Sequence, residues 1–292
     1  MTPESANAAA RPVVEIAGVS KVFDGRAQRA TRVEALVGID LSIAAGEFVS
    51  FIGPSGCGKS TLLRLIGDLT PPTSGTITVN GKPADRARRD RDYGMVFQAP
   101  ILFDWRTVQG NVELPLEISG ASKAQRAQIA TEHLRLVELS DFAGHYPWQL
   151  SGGMQQRVAI ARALAVDPAL LLMDEPFGAL DEMTRERMNL ELLKIWERTE
   201  TTIVFVTHSI AEAVFLSTRV VVMSPRPGRI SSIIDIDLPR ERNVETRELE
   251  QYFHLVTAVR EALRGDERSG DSPEDDSDDI AARRVAAEGL SG

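Results

Sequence analysis

The chain has 292 residues, 43% of them hydrophobic and 26% charged, and a single cysteine, Cys57. No apolar run approaches the roughly 20 residues that a membrane-spanning helix needs, and one cysteine excludes an internal disulfide. The net charge of −9 is concentrated: residues 265–279 hold eight acids against one arginine, a net −7 that leaves −2 on the remainder, so the body offers no electrostatic footprint for nucleic acid.

In chain order, residues 1–12 read as a flexible leader. Val13–Val19 and Ala35–Ile43 read as strands around a polar loop, Asp24–Arg32. Glu47–Ile52 is a short, buried strand that runs into a glycine-rich turn, and Ser60–Leu69 follows as a helix stopped by Pro71 and Pro72. Gly75–Val79 and Tyr93–Phe97 are further strands. Val112–Leu150 has helical periodicity, with Ser122 and Gln125 as a capping box. Beyond the helix Met154–Leu164, strands alternate with helices: Leu170–Met173, a helix to Arg198, Thr202–Val206, a helix to Leu216, and Val220–Met223. That alternation predicts an α/β core with parallel strands, and the middle helices an inserted subdomain. Arg229–Ile236 reads as a final hairpin-like pair. Leu249, Tyr252, Phe253, Val256, Val259 and Leu263 predict a C-terminal amphipathic helix over 245–263. The acidic run after it has little apolar surface to bury, so 265–292 is expected to be a disordered tail.

Gly53-Pro54-Ser55-Gly56-Cys57-Gly58-Lys59-Ser60 fits G-x-x-x-x-G-K-[ST] between a strand and a helix, the context of a P-loop. Glycines let backbone N–H groups curl around phosphates, and the helix start adds partial positive charge. Lys59 is expected to reach the phosphates and Ser60 to ligate Mg²⁺, with Thr61 next in line. Cys57 reads as a small filler. Leu170–Met173 delivers Asp174 to the metal side of the nucleotide and Glu175 as general base.

Leu150-Ser151-Gly152-Gly153-Met154-Gln155-Gln156 resembles the LSGGQ signature of ABC ATPases, with Met154 a slight departure, and the resemblance covers nearly all of residues 13–235. It implies a P-loop NTPase of the ABC ATPase type over 13–238: a RecA-like core, an antiparallel β subdomain and a helical subdomain at about 99–165, followed by a C-terminal helix over 239–264. Ser151, Gly152, Gly153 and Gln155 open a second anion-binding helix start. In the family this start caps the γ-phosphate held by another copy, an ATP-sandwich homodimer. By the same resemblance Phe23 stacks on adenine, in place of the commoner tyrosine. Gln98 senses Mg²⁺ and water, Asp181 lies in the D-loop across the dimer interface, and His208 contacts the γ-phosphate. His133, His145 and His254 have no such context.

Pro100–Val112, with Trp105, Arg106 and Asn111, resembles the stretch of nitrate, sulfonate, taurine and thiamine-precursor pyrimidine importers that meets the membrane subunit. Trp105 equally reads as an anchor of a subdomain hinge. Met173–Arg185 and Met223–Gly228 fit the same subfamily. The resemblance implies an ATPase on the cytoplasmic face of the membrane. A transmembrane permease subunit binds it directly, and an extracytoplasmic solute-binding protein is served indirectly. The competing class is a non-transport ABC ATPase acting on ribosomes or DNA. Against it stand the single set of motifs, the absence of a basic stretch and the short interval between 60 and 170 without heptads.

Overall fold

The computed structural model describes residues 12–24 and 32–270. The leader 1–11, residues 25–31 of the polar loop and the tail 271–292 lie outside the described residues.

Two sheets make up the frame. The first is antiparallel, in the order β2 (Val33–Ile43), β1 (Val14–Phe23), β4 (Ser74–Val79), β5 (Lys82–Pro83). Strand β1 runs four residues further than its predicted end at Val19 and closes against β2 with Phe23 opposite Val33. The second sheet has six strands in the order β10 (Ile230–Asp235), β9 (Arg219–Met223), β3 (Phe48–Ile52), β8 (Thr202–Val206), β7 (Leu170–Asp174), β6 (Tyr93–Val96). From β9 to β6 it is parallel. Strands β3, β7 and β8 are buried at every residue, as strands covered on both faces must be. Strand β10 pairs antiparallel with β9. The predicted pair over 229–236 is therefore one strand whose hairpin mate is the strand before it.

Helix α1 (Lys59–Ile66) packs between the sheets and stops at Gly67, short of the predicted Leu69. The prolines do not end it. Asp68 follows at φ +47° and Leu69 N donates to Arg64 O at 2.8 Å, so the chain turns there, and Tyr93 Oη donates to the Gly67 carbonyl. Helix α2 (Ala84–Asp90) is a short, arginine-rich turn that apolar periodicity did not indicate. The span 112–150 is not one helical stretch. It holds the end of α3 (Val108–Ile118), then α4 (Lys123–Leu136), then two 3-10 turns at Ser140–Phe142 and Pro147–Gln149. Gly120 at φ +81° breaks it, since a side chain there is strained. The Ser122–Gln125 capping box forms as the sequence suggests. Helix α5 (Gly152–Leu164) packs on α3 and α4, while α6 (Glu182–Thr199) and α7 (Ile210–Leu216) cover the core sheet.

After β10, a 3-10 turn (Val244–Glu248) leads into α8 (Glu250–Gly270), which runs past the expected boundary at 264. Its inward face is narrower than predicted. Tyr252 and Val259 are buried, with Val256 and Leu263 packed beside them, whereas Leu249 and Phe253 point to solvent. The segment is clamped to α7 by polar contacts. Tyr252 Oη donates to Ala211 O at 3.1 Å. Arg242, buried and pulled down to about 10 by desolvation, donates to Phe215 O at 2.7 Å and Ser217 O at 3.0 Å. These carbonyls belong to the end of α7, which has no further turn to satisfy them.

Replacing Arg242 by methionine leaves those carbonyls buried and unpaired. We expect it to cost about 2–4 kcal/mol of stability, read as a lower urea midpoint of the full chain.

Candidate nucleotide site

The carboxyl ends of β3, β7 and β8 sit side by side in the parallel sheet, and they deliver the Gly53–Ser60 loop, Asp174 with Glu175, and His208 to the same edge. This is where open α/β sheets bind ligands. The turn after β3 is shaped by its own lysine. Lys59, 6% exposed, donates from Nζ to Gly53 O at 2.7 Å and Pro54 O at 3.0 Å, curling the loop around its ammonium. Gly58, at φ +107°, brings the loop against β2: a methyl on it would sit 2.6 Å from Leu36 Cδ2. Cys57 fills the inner side of the loop. Burial pushes its thiol up from the usual range, against a smaller lowering from Lys59.

At the end of β7, Asp174 Oδ1 accepts from Ser60 Oγ at 2.6 Å, and its other oxygen lies 3.9 Å from Arg64. Glu175 follows at φ +45°, a left-handed conformation that a non-glycine residue adopts at a cost. Its N–H donates to Val206 O at 3.0 Å, tying it to β8. Two residues beyond β8, His208 Nδ1 lies 3.4 Å from Glu175 Oε2. Gln98, just past β6, joins this group: a methyl on Gly178 would lie 3.2 Å from the Gln98 amide nitrogen and 3.6 Å from Glu175 Oε2.

Phe23, Ser55, Gly56, Gly58, Lys59, Ser60, Thr61, Glu175 and His208 thus line one cavity of about 300 Å³. Phe23, 43% exposed at the end of β1, has Lys21 Nζ 4.9 Å from its ring centre. Gly53, Pro54 and Cys57 shape the loop from behind, and Asp174 stands behind Ser60. Gln98 is at the side.

Ser151, Gly152, Gly153 and Gln155 are elsewhere. Ser151 caps α5 through Oγ, which accepts from Met154 N at 3.3 Å, and Gln155 Nε2 donates to Pro147 O at 3.0 Å. Gly153 is close enough to α6 that a methyl on it would touch Thr184 at 3.2 Å, so α5 begins beside the D-loop helix. Asp181 caps that helix: its carboxylate accepts from Thr184 N at 3.0 Å, which holds it below the usual carboxylate range. No residue of 151–155 lines the Lys59 cavity. One chain therefore carries two separate glycine-rich helix starts that do not share a cavity.

The chain matches the ABC transporter family over residues 36–178. It is 46% identical over 260 residues to the nitrate import ATP-binding protein NrtD of Synechocystis, covering 87% of this chain and 96% of NrtD. The chain belongs to the ABC transporter family. It is also 50% identical over 208 residues to the taurine import ATP-binding protein TauB of Rhizobium johnstonii, covering 71% of this chain and 79% of TauB. Among solved structures, the dimeric post-hydrolysis state of the ATP-binding cassette MJ0796 bound to ADP and Pi matches with a TM-score of 0.66 and 38% identity. It covers 76% of this chain and 98% of that one. The fold is that of an ABC ATPase cassette, and no helix among the described residues is long and apolar enough to cross a membrane.

Three residues of this ABC ATPase were given no role of their own by the sequence reading. Gln156, buried beside the signature, donates to Phe97 O at 3.1 Å and joins α5 to the residue before Gln98. Glu212, buried and raised by that burial, accepts from Thr207 Oγ1 next to His208. Arg226 lines the cavity. Each acts across a sequence distance or from inside a helix, where no local spacing marks it.

Burial and a raised thiol together predict that Cys57 is slow to alkylate. At pH 8 we expect iodoacetamide to modify the folded chain at least tenfold more slowly than the urea-unfolded chain, followed by mass spectrometry.

Proposed function

We propose that this ABC ATPase binds and hydrolyses ATP between two copies of itself to power uptake of a small solute. The solute is of the nitrate, sulfonate, taurine or pyrimidine type, and it passes through a separate membrane subunit. One observation carries the reading: the Lys59 turn and the Ser151 turn are both glycine-rich helix starts of the kind that suits phosphate, yet they do not share a cavity within one chain. Each half-site is completed by a second copy, Ser151, Gly152, Gly153 and Gln155 of one lying over the Lys59 turn of the other. The dimer of MJ0796 with ADP and Pi supports this arrangement.

Mg²⁺ fits the residues present. Ser60 hydroxyl and Asp174 carboxylate are adjacent hard oxygen donors, and Mg²⁺ is characteristically held by one or two such groups together with substrate phosphates. Ser60 and Asp174 would hold it, with Gln98 at its side, and it would neutralise charge on the phosphates. Lys59 and the loop N–H groups bind the phosphate chain, and Phe23 supports adenine. Glu175 takes the proton of the attacking water, and His208, 3.4 Å from it, orients the γ-phosphate. Closure of the two copies excludes water from the reacting atoms, and loss of the γ-phosphate releases them.

The membrane subunit docks beside the Gln98 segment. Trp105 is 75% exposed and leans on Phe103, with ring centres 5.0 Å apart. Asn111, buried, accepts from Phe103 N at 2.7 Å and donates to Phe103 O at 3.1 Å, holding that loop in shape. Next to it a cavity of about 340 Å³ opens between β6 and α3, lined by Tyr93, Met95, Phe103, Leu114, Pro115 and Ile118 among others. Its apolar wall fits a partner's helix end. Through this contact the chain works at the cytoplasmic face of the membrane, and the extracytoplasmic solute-binding protein is engaged only through the membrane subunit. The import names of NrtD and TauB support the direction and the solute class.

Glu175→Gln is expected to retain ATP binding while lowering turnover by about 10²–10⁴-fold, and to form an ATP-dependent dimer visible by light scattering. A mutant that stays monomeric with ATP and Mg²⁺, alone and with its membrane subunit, contradicts the split site. Trp105→Ala is expected to reduce co-purification with the membrane subunit at least tenfold, the loss of one exposed aromatic anchor that the partner would cover.

A further inference from the structure

The segment Met223–Gly228 leaves the end of β9 and crosses the outer wall of the Lys59 loop. Backbone bonds hold it on both sides. Ser224 N donates to Arg229 O at 3.0 Å, and Ser224 Oγ accepts from Arg229 N at 3.1 Å. Gly228 N donates to Ala35 O at 3.1 Å, and Gly228 O accepts from Val37 N at 3.0 Å, which stitches the segment to β2. Only glycine fits at 228, because a methyl there would lie 1.9 Å from the Cys57 carbonyl oxygen. The segment is thus braced against both the phosphate loop and the strand that follows Phe23. A side chain on it is presented with little further ordering.

That side chain is Arg226. It is exposed, and its Nε and Nη2 donate to Gly56 O at 3.3 and 3.2 Å. It forms no ion pair with a carboxylate among the described residues, and a neutral carbonyl is a weak hold on a guanidinium compared with a phosphate oxygen. Arg226 lines the same cavity as Phe23, Ser55, Lys59 and Glu175. Of the lining residues, Lys59 and Arg226 are the permanently charged cations and Glu175 is the carboxylate; Asp174, behind Ser60, is a second carboxylate and has Arg64 3.9 Å away. Lys59 alone only offsets Glu175. A nucleotide tri- or diphosphate brings further negative charge to a cleft that, without Arg226, holds at least as many carboxylates as cations.

We propose that Arg226 is a further nucleotide-binding residue, the second cation of the cleft, turning from the Gly56 carbonyl to the phosphate chain of ATP or ADP. This rests on the reading of the cavity as the nucleotide site. Arg226 acts on affinity for both nucleotides through its charge, and the bracing of 223–228 against Cys57 and Ala35 keeps it in reach.

The test is a titration of the full-length chain with fluorescent ATP and ADP analogues at several salt concentrations. R226Q keeps a donor for the Gly56 carbonyl and removes the charge, and R226K keeps the charge. We expect R226Q to weaken both nucleotides about tenfold, as loss of one charge-assisted phosphate contact should, and to flatten the salt dependence of binding. R226K should remain within about threefold of the unsubstituted chain. R226Q binding as tightly as the unsubstituted chain overturns the assignment. So does an affinity loss with an unchanged salt slope, which marks a merely structural prop, or R226K no better than R226Q. If the unsubstituted chain binds neither nucleotide, the nucleotide-site reading itself fails, a result distinct from any of these.

Discussion

The ammonium of Lys59, buried and satisfied by the carbonyls of Gly53 and Pro54, is the interaction around which the site is built. A buried cation is tolerated only where oxygens surround it. Meeting that demand with the loop's own backbone turns the Gly53 and Pro54 carbonyls to the lysine and so sets the curl of the loop. The all-buried strand β3 fixes where this happens, since its parallel neighbours β8 and β9 hold it at the centre of the sheet. The same sheet order puts the ends of β7 and β8 next to the loop, so Asp174, Glu175 and His208 arrive without long connections. The positive φ at Glu175 is the local cost of aiming a carboxylate into the cleft directly after a strand.

The site also reads the rest of the molecule through side chains that bond to backbone. Gln156 ties the signature helix to the strand end that precedes Gln98. Thr207 and the buried Glu212 tie the His208 turn to α7. Arg242 closes the other end of α7 from the C-terminal segment. Each contact spans two elements that would otherwise meet only through apolar packing, which constrains distance better than orientation. Through these bonds α5 is tied to the strand end before Gln98, and α7 to the His208 turn. This gives the C-terminal helix a structural connection to the catalytic edge, although its own inward face is narrow.

Much of the fold was legible in the sequence because its signals are local. The strands β3, β7 and β8 are short apolar runs, the phosphate loop has a fixed spacing between a strand and a helix, and the Ser122–Gln125 cap spans four residues. The failures are also physical. Helix α1 ends at Gly67 because Asp68 takes a left-handed conformation, a stop set before the prolines. The span 112–150 broke into two helices and two tight turns because periodicity averages over Gly120 and the Tyr146–Gln149 turn. Leu249 and Phe253 satisfied a helical spacing but found no surface to cover.

By itself the sequence determined the candidate residues for phosphate, metal and water, since candidacy belongs to residue types and short spacings. It determined an α/β core for the same reason, through the alternation of apolar runs and amphipathic stretches. Only the tertiary structure decided which of these residues share a cavity. It separated Ser151 from Lys59, brought Arg226 to Gly56 across 170 residues, and set His208 beside Glu175. Proximity of this kind comes from strand order and close packing, which no single stretch of chain encodes.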